Sequence, residues 1–287
     1  MDSLDTTPIS LDVRLEFSRA AVEVIARRAR IRLLHIKGGT LDGALRPGKR
    51  SGTDVDVLVD PRRVPELHAR MTENGWRVYS SFLDGSPFGH AQTYHHREWG
   101  YLDLHRRFPG VGIADQDAFE VLWQGRGCHF AAGVECSVSS VDAQAVLFVL
   151  NAARDLDMLG AEARELWARQ ADDERVRRSR LVRRLRAEVA FAAALGDLER
   201  YRRRREYLLW KTVSQGGSRT AEWWGRIKAA PTVSAALGTV ARAPRVNRAV
   251  LAHELGHEPR TRDVIVAFRR RIGTALRESF GRGERKR

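Results

Sequence analysis

The segment Asp54-Val55-Asp56-Val57-Leu58-Val59 alternates acid and aliphatic residues. In a strand, residues two apart project from the same face, so Asp54 and Asp56 set two carboxylates side by side while the valines bury the other face. Neighbouring anions repel unless a cation lies between them. The pattern points to a hard divalent ion, Mg²⁺ (or Mn²⁺), which keeps part of its shell for water and substrate phosphates. The plainer alternative is a half-exposed edge strand whose outer face happens to be acidic. Upstream, Lys37-Gly38-Gly39 closes the apolar run IRLLHIK and opens a helix-sized stretch to Arg46. Glycines there let backbone N–H groups approach a phosphate, and a helix N-terminus favours the anion. Downstream, Tyr101-Leu102-Asp103-Leu104-His105 alternates again, with Asp103 on one face with Tyr101 and His105. A third carboxylate beside a metal pair is what nucleotidyl transfer uses: one ion activates the attacking hydroxyl, the other steadies the leaving pyrophosphate. His105 orients Asp103, touches substrate, or is a half-buried strand histidine with a backbone partner.

A second pattern competes. Residues 253–257 read His-Glu-Leu-Gly-His, a literal match to the H-E-x-x-H of zinc proteases. On a helix, His253 and His257 would share a face and Glu254 would polarise a zinc-bound water. Against this, Pro259 ends the helix two residues on, the only acid at a plausible remove for a third ligand is Glu278, and only helices are expected after residue 142. A polar helix end with histidine near its C-terminus is the simpler reading. His95 and His96 are strand neighbours and point to opposite faces, whereas His90, Tyr94 and His96 would line one face, solvated or toward substrate. Trp223-Trp224, with Tyr207 and Trp210, reads as helix-packing core rather than a base-stacking platform. The runs Arg177-Arg178, Arg183-Arg184 and Arg202 to Arg205 suit phosphates, but no nucleic-acid-binding signature accompanies them.

The elements that must position these residues follow from periodicity. Apolar residues from Val13 to Ile25 predict an amphipathic helix over 12–30. Strands are expected at 53–59, 76–82, 90–97 and 101–108, a helix at 64–73 ended by Asn74-Gly75, and a helix at 115–123. A hairpin over 128–138 follows, then helices at 143–156, 161–168, 176–195, 198–213, 223–229, 246–255 and 262–279. The result is an α/β (α+β) layer arrangement over residues 1–140 and an all-helical domain over 141–287.

Composition agrees with two soluble globular domains. The chain has 287 residues, 43% hydrophobic and 30% charged, with a formal charge of +14. Residues 1–150 hold 18 Lys+Arg against 19 Asp+Glu, and residues 151–287 hold 32 against 17, so the surplus belongs to the helical half. A basic half invites a polyanionic partner such as nucleic acid, although an Arg-rich composition on solvated helix faces gives the same count. No apolar run approaches the ~18 residues of a spanning helix, which excludes a membrane-embedded class. The start MDSLDTTPISLD lacks the basic-then-apolar order of an export signal. The two cysteines, Cys128 and Cys136, make no disulfide scaffold. A reducing cytoplasm is the expected compartment.

Gly38-Gly39, a fourteen-residue spacer, Asp54-x-Asp56 and the later Asp103 resemble the nucleotidyltransferase superfamily of the DNA polymerase beta type. More narrowly, IKGGTL, KRSGTDVDVLVD and YLDLHRRF are similar to a group of bacterial nucleotidyltransferases with a Lys-Gly start, an Arg before the Asp pair and an Asp-Leu-His strand. The resemblance covers about residues 30–110. It implies a minimal palm-like domain with a mixed sheet, ATP or another NTP with Mg²⁺, and transfer of a nucleoside monophosphate to a hydroxyl or similar acceptor. It further implies that Asp54 and Asp56 ligate metal and that Asp103 completes the metal site or acts as general base. Gly38 and Gly39 would hold phosphate, with Lys37 and Arg50 as triphosphate contacts. The acceptor is left open, since members act on antibiotics, proteins and RNAs.

Overall fold

The computed structural model describes residues 9–45, 52–82, 88–230, 232–242, 251, 255 and 257–280. The chain divides into two compact units: 1–82, 90–108 and 113–144 form the first, and 83–89, 109–112 and 145–287 form the second. In the first unit the elements run α1 (Leu11–Arg28), β1 (Leu33–Ile36), β2 (Asp54–Val59), α2 (Val64–Glu73), β3 (Arg77–Ser80), β4 (Ala91–His96), β5 (Gly100–His105), α3 (Asp115–Trp123), β6 (Gly127–Ala131) and β7 (Val134–Val138), with α4 (Val141–Ala152) leading out. The seven strands form one sheet in the order β3-β4-β5-β2-β1-β7-β6. The sheet is mixed: β2 runs parallel to β5 and β1 parallel to β7, while the other neighbours are antiparallel.

Alternation along β2 decides which face is core. Val55, Val57 and Val59 are buried with Val22 and Ile25 of α1, Leu67 and Met71 of α2, and Leu102 and Leu104 of β5. Burying each such side chain contributes ~1.5–3 kcal/mol, enough to hold the strand in one register, because a one-residue slip would send the valines to the opposite face. Asp54 and Asp56 are thereby committed to that opposite face. Helix α2 has the span expected from its sequence, and Asn74 and Gly75 end it, Gly75 at φ +85° where only glycine is unstrained.

Three expectations fail for identifiable reasons. No helix follows Gly39. Two short 3₁₀ turns, Gly38–Thr40 and Gly43–Leu45, occupy the described part of that stretch. Lys37 and Gly38 are left-handed at φ +64° and +52°, and the Asp42 carboxylate accepts the Ala44 N–H at 2.9 Å, so local turn bonding wins over a helix. The helix over 176–195 is two helices, α6 (Asp172–Arg184) and α7 (Glu188–Leu195). The break at Arg186 (φ +50°) receives Gly112, whose N–H donates to the Leu185 carbonyl at 2.9 Å, and a Cβ on Gly112 would lie 2.6 Å from the Arg186 carbonyl oxygen. The helix over 198–213 keeps only a 3₁₀ turn, Leu198–Tyr201, and α8 (Tyr207–Ser214).

The second unit also contains α5 (Leu156–Arg169), α9 (Arg219–Ala229), α10 (Val233–Arg242) and α11 (Thr261–Phe280). Trp210 is buried there as expected, stacked on Phe88 at 5.6 Å, but Trp224 is 60% exposed and is not core. The two thiols are free: Cys128 faces Ser137 and is exposed, whereas Cys136 faces His129 and is buried. Burial above all pushes the Cys136 thiol up to about 12. Among the described residues no helix is long and apolar enough to cross a membrane.

Asp60, buried just past β2, accepts from the Arg62 guanidinium at 2.9 Å and from Arg32 at 3.2 Å. Burial opposes its charge, but the hydrogen bonds from Arg62 and Arg32 outweigh it and hold the carboxyl at about 2, against an ordinary 3.8. A lowered folded-state pKa gives stability that is complete above the ordinary value and lost as pH falls through the lowered one. Asp60→Asn should therefore cost about 1–2 kcal/mol at pH 7 by denaturant titration. Its deficit against wild type should shrink as pH falls from ~4 to ~2; a deficit independent of pH would assign the loss to packing instead.

Candidate active site

The parallel register of β2 with β5 sets Asp54 opposite Tyr101, Asp56 opposite Asp103 and Leu58 opposite His105. On the next strand Thr93 lies opposite Asp103. Thr93, Asp103 and Asp56 thus form one rung across three strands, and Asp54 follows on the same face. The three carboxylates singled out from the sequence are brought together on the sheet face that α1 and α2 leave uncovered.

Each carboxylate is held differently. Lys37 Nζ donates to Asp56 Oδ1 at 2.7 Å, and His105 Nε2 donates to the same oxygen at 2.7 Å. The Thr93 hydroxyl donates to Asp103 Oδ1 at 2.6 Å. Burial disfavours charge on Asp56, but the Lys37 ammonium and the His105 hydrogen bond overcome it and hold the carboxyl well below the usual carboxylate range. Asp54 goes the other way: burial first, then repulsion from Asp56 and Asp103, raise it to about 6. Burial and the charge of Lys37 press His105 toward neutral imidazole, against the pull of Asp56 and Asp103. Its Nδ1 is buried without a hydrogen-bond partner. His105 therefore steadies Asp56 rather than Asp103.

The Gly38–Thr40 turn follows directly from β1, whose Ile36 pairs with Asp56. Beneath it lies Arg19 of α1, 4% exposed and paired with Glu16 at 2.6 Å. A Cβ on Gly39 would lie 2.8 Å from the Arg19 guanidinium, so position 39 admits no side chain unless that guanidinium moves. A cation thus backs the turn in the place where a helix dipole was expected. Arg19 was missed in the sequence reading, although it left a signal: it falls on the buried stripe of α1 with Leu15, Val22 and Ala26. Thr93 was missed as well, since only strand pairing reveals it.

Some sequence candidates lie outside the described residues, and others lie apart from the cluster. Arg50 lies outside the described residues, as do His253 and Glu254 of the H-E-x-x-H match. His257 is exposed, its Nδ1 donating to the Glu258 carbonyl at 2.9 Å. Tyr94 is fully buried on the helix-covered face, where its hydroxyl meets Gln92 at 2.7 Å and His68 at 2.8 Å, so it belongs to neither the solvated nor the substrate-facing strand face weighed for His90, Tyr94 and His96. Arg178 is buried and donates to Glu174 at 2.9 Å, and Arg177 pairs with Asp173 at 2.5 Å. Those two arginines serve helix packing and pairing.

A group whose folded pKa is raised destabilises the fold above that value and ceases to do so once protonated. Asp54→Asn should therefore stabilise the protein in chelator-containing buffer at pH 8 by about 1–2 kcal/mol. The gain should fade as pH falls through about 6, where wild-type Asp54 takes up its proton. Denaturant titrations at pH 8 and pH 5 check this, and a variant less stable than wild type at pH 8 would show that the ionised carboxylate is not under strain.

No known protein family matches the chain by its profile, and no curated protein matches it in sequence. Solved structures that match include a lincomycin-bound lincosamide antibiotic adenylyltransferase, LnuA, at 14% identity and TM-score 0.32, over 45% of this chain and 82% of that one. The antibiotic-resistance factor ANT(2'')-Ia matches at 18% identity and TM-score 0.38, over 66% of this chain and 94% of that one. An antigenic nucleotidyltransferase-like protein from Paracoccidioides brasiliensis matches at 14% identity and TM-score 0.37, over 67% and 95% respectively. The chain itself combines a mixed N-terminal sheet with a mostly helical C-terminal region.

Proposed function

We propose that the first unit is a nucleotidyltransferase that moves a nucleoside monophosphate from ATP or another NTP to a hydroxyl or similar acceptor and releases pyrophosphate. The observation that supports this best is the rung of Asp103 and Asp56 with Asp54 beside it, three carboxylates on one sheet face next to a glycine turn. The donor set fits hard divalent cations: it is all oxygen, and burial together with repulsion from Asp56 and Asp103 makes charge on Asp54 costly, a cost that a cation would relieve. Asp54, Asp56 and Asp103 would hold Mg²⁺ or Mn²⁺, which when bound supplies charge neutralisation of the triphosphate and activation of the acceptor hydroxyl.

The remaining roles belong to the chain. His105 fixes the rotamer of Asp56 through its 2.7 Å hydrogen bond. Thr93 occupies Oδ1 of Asp103, which orients the carboxylate as general base for the acceptor proton. Lys37 brings a positive charge to the same oxygen of Asp56 and is placed to steady phosphate at the Gly38-Gly39 turn. Positioning and charge stabilisation supply most of the rate in phosphoryl chemistry, so few proton-transfer groups are needed.

Incubation with α-phosphate-labelled NTPs, Mg²⁺ and fractionated cell extract should move label to one class of acceptor. Asp54→Asn and Asp56→Asn should each reduce transfer by about 100-fold or more while the circular dichroism spectrum is kept. His105→Gln, which disturbs Asp56 only through a hydrogen bond, should cost ~10–100-fold. Full transfer by both aspartate variants would sink the proposal. Steeply salt-dependent RNA or DNA binding with no transfer of label would replace it with a binding module.

A further inference from the structure

A second cluster of titratable side chains lies in the first unit, on the sheet face opposite the three carboxylates. His35 pairs with Val57, whereas Asp56 pairs with Ile36, so imidazole and carboxylate leave the sheet on opposite sides. Cys136 of β7 shares the face of His35, because His35 lies opposite Val138 two residues along. Glu23 of α1 comes down onto the same spot. Glu23, His35 and Cys136 are 5%, 1% and 0% exposed, and one ligand atom from each lies within 4.8 Å of the others.

The donors are incompletely used. His35 Nε2 meets Glu23 Oε2 at 3.1 Å, yet His35 Nδ1 is buried with no hydrogen-bond partner. Cys136 Sγ reaches only the Val134 carbonyl of its own strand, at 3.6 Å. His129, directly across the ladder from Cys136, has its Nε2 buried without a hydrogen bond, with Glu16 at 3.8 Å as its nearest acid. Arg27 holds the other oxygen of Glu23 at 3.0 Å, leaving Oε2 turned to the cluster. Buried polar atoms without partners are rare, and two imidazole nitrogens in that state around a thiol call for an explanation.

We infer that Glu23, His35 and Cys136, with His129 as fourth donor, form a metal site for a borderline-soft divalent cation, Zn²⁺ in particular. One sulfur, two nitrogens and one carboxylate oxygen are a tetrahedral zinc set, in contrast to the all-oxygen set on the other face. Ligands at ~2.0–2.3 Å from zinc lie about 3.3–3.8 Å from one another, so Glu23, His35 and Cys136, already within 4.8 Å, close with small side-chain movements, while His129 would turn in from its place across the ladder from Cys136. On binding, the thiol proton passes to solvent and sulfur coordinates as thiolate. The donors come from α1, β1, β6 and β7, so the ion would tie the helix to that end of the sheet.

Chelator-stripped full-length protein is titrated with Zn²⁺ in excess Mg²⁺, and separately with Co²⁺ while the near-ultraviolet thiolate-to-cobalt charge-transfer band is followed. The expected result is one zinc retained per chain and a saturable cobalt band displaced by zinc. Cys128→Ser leaves Cys136 as the sole thiol and should keep the full band, and His35→Gln should weaken zinc binding by ~100-fold or more. Absence of the band from wild type, or its loss in Cys128→Ser, would overturn the site whether or not a Cys136→Ser variant folds. Asp54→Asn should leave both readouts unchanged, so failure here and failure of the transferase reading are separate events.

Discussion

Everything about the carboxylate face depends on one register, the parallel pairing that sets Asp56 against Asp103. Two half-buried acids on adjacent strands repel, and a sheet would ordinarily avoid that rung. Here the register is enforced from behind. The valines of β2 and the leucines of β5 interlock with α1 and α2, and sliding either strand would expose them. The repulsion is then handled locally, with Lys37 and His105 on a single oxygen of Asp56 and Thr93 on Asp103. For Asp54 the charge of Lys37 does not offset burial and the repulsion of the other two acids, and its pKa stays raised. Apolar packing on one face thus holds an electrostatic strain on the other, which is how a fold keeps a charged site preorganised.

The same economy applies to Lys37. A non-glycine residue at φ +64° is uncommon, and here it follows the last residue of β1 and opens the glycine turn. That backbone turn lets the side chain reach Asp56 at 2.7 Å. Arg19, buried under Gly39, adds a second cation from another element. Positive charge therefore meets the carboxylate face at Lys37 and backs the glycine turn at Arg19, a local arrangement independent of the +14 that the whole chain carries.

How much of this was legible in the sequence varied with the range of the interaction. Strand β2 and the acid pair were readable because a period of two is a local property, and α2 and α3 have the spans their periodicity predicts, α2 ending at Asn74-Gly75. The stretch after Gly39 misled because glycine and Asp42 favour turns over a helix, a competition that periodicity does not register. The partnership of His105 with Asp56 was hidden, since it depends on a parallel pairing that the chain completes only after α2, β3 and β4. So was the meeting of Glu23, His35 and Cys136, whose positions span more than a hundred residues. The buried charges Arg19 and Glu23 did leave a trace, as ionic residues set into an apolar helical stripe.

Residues 88–89 and 109–112 lie between stretches of the first unit yet belong to the second, and the chain passes from one unit to the other five times. A Cβ on Gly110 would lie 2.7 Å from Ala190 and 3.1 Å from Leu150, and Phe88 stacks on Trp210. A fragment ending near residue 144 would keep those two segments but lose the helices that seat them, leaving Phe88 without its stacking partner. The remaining helices would in turn lose part of their core. Each unit is assembled from separate stretches of chain, so truncation at a single junction would remove most of the second unit and leave two of its segments behind.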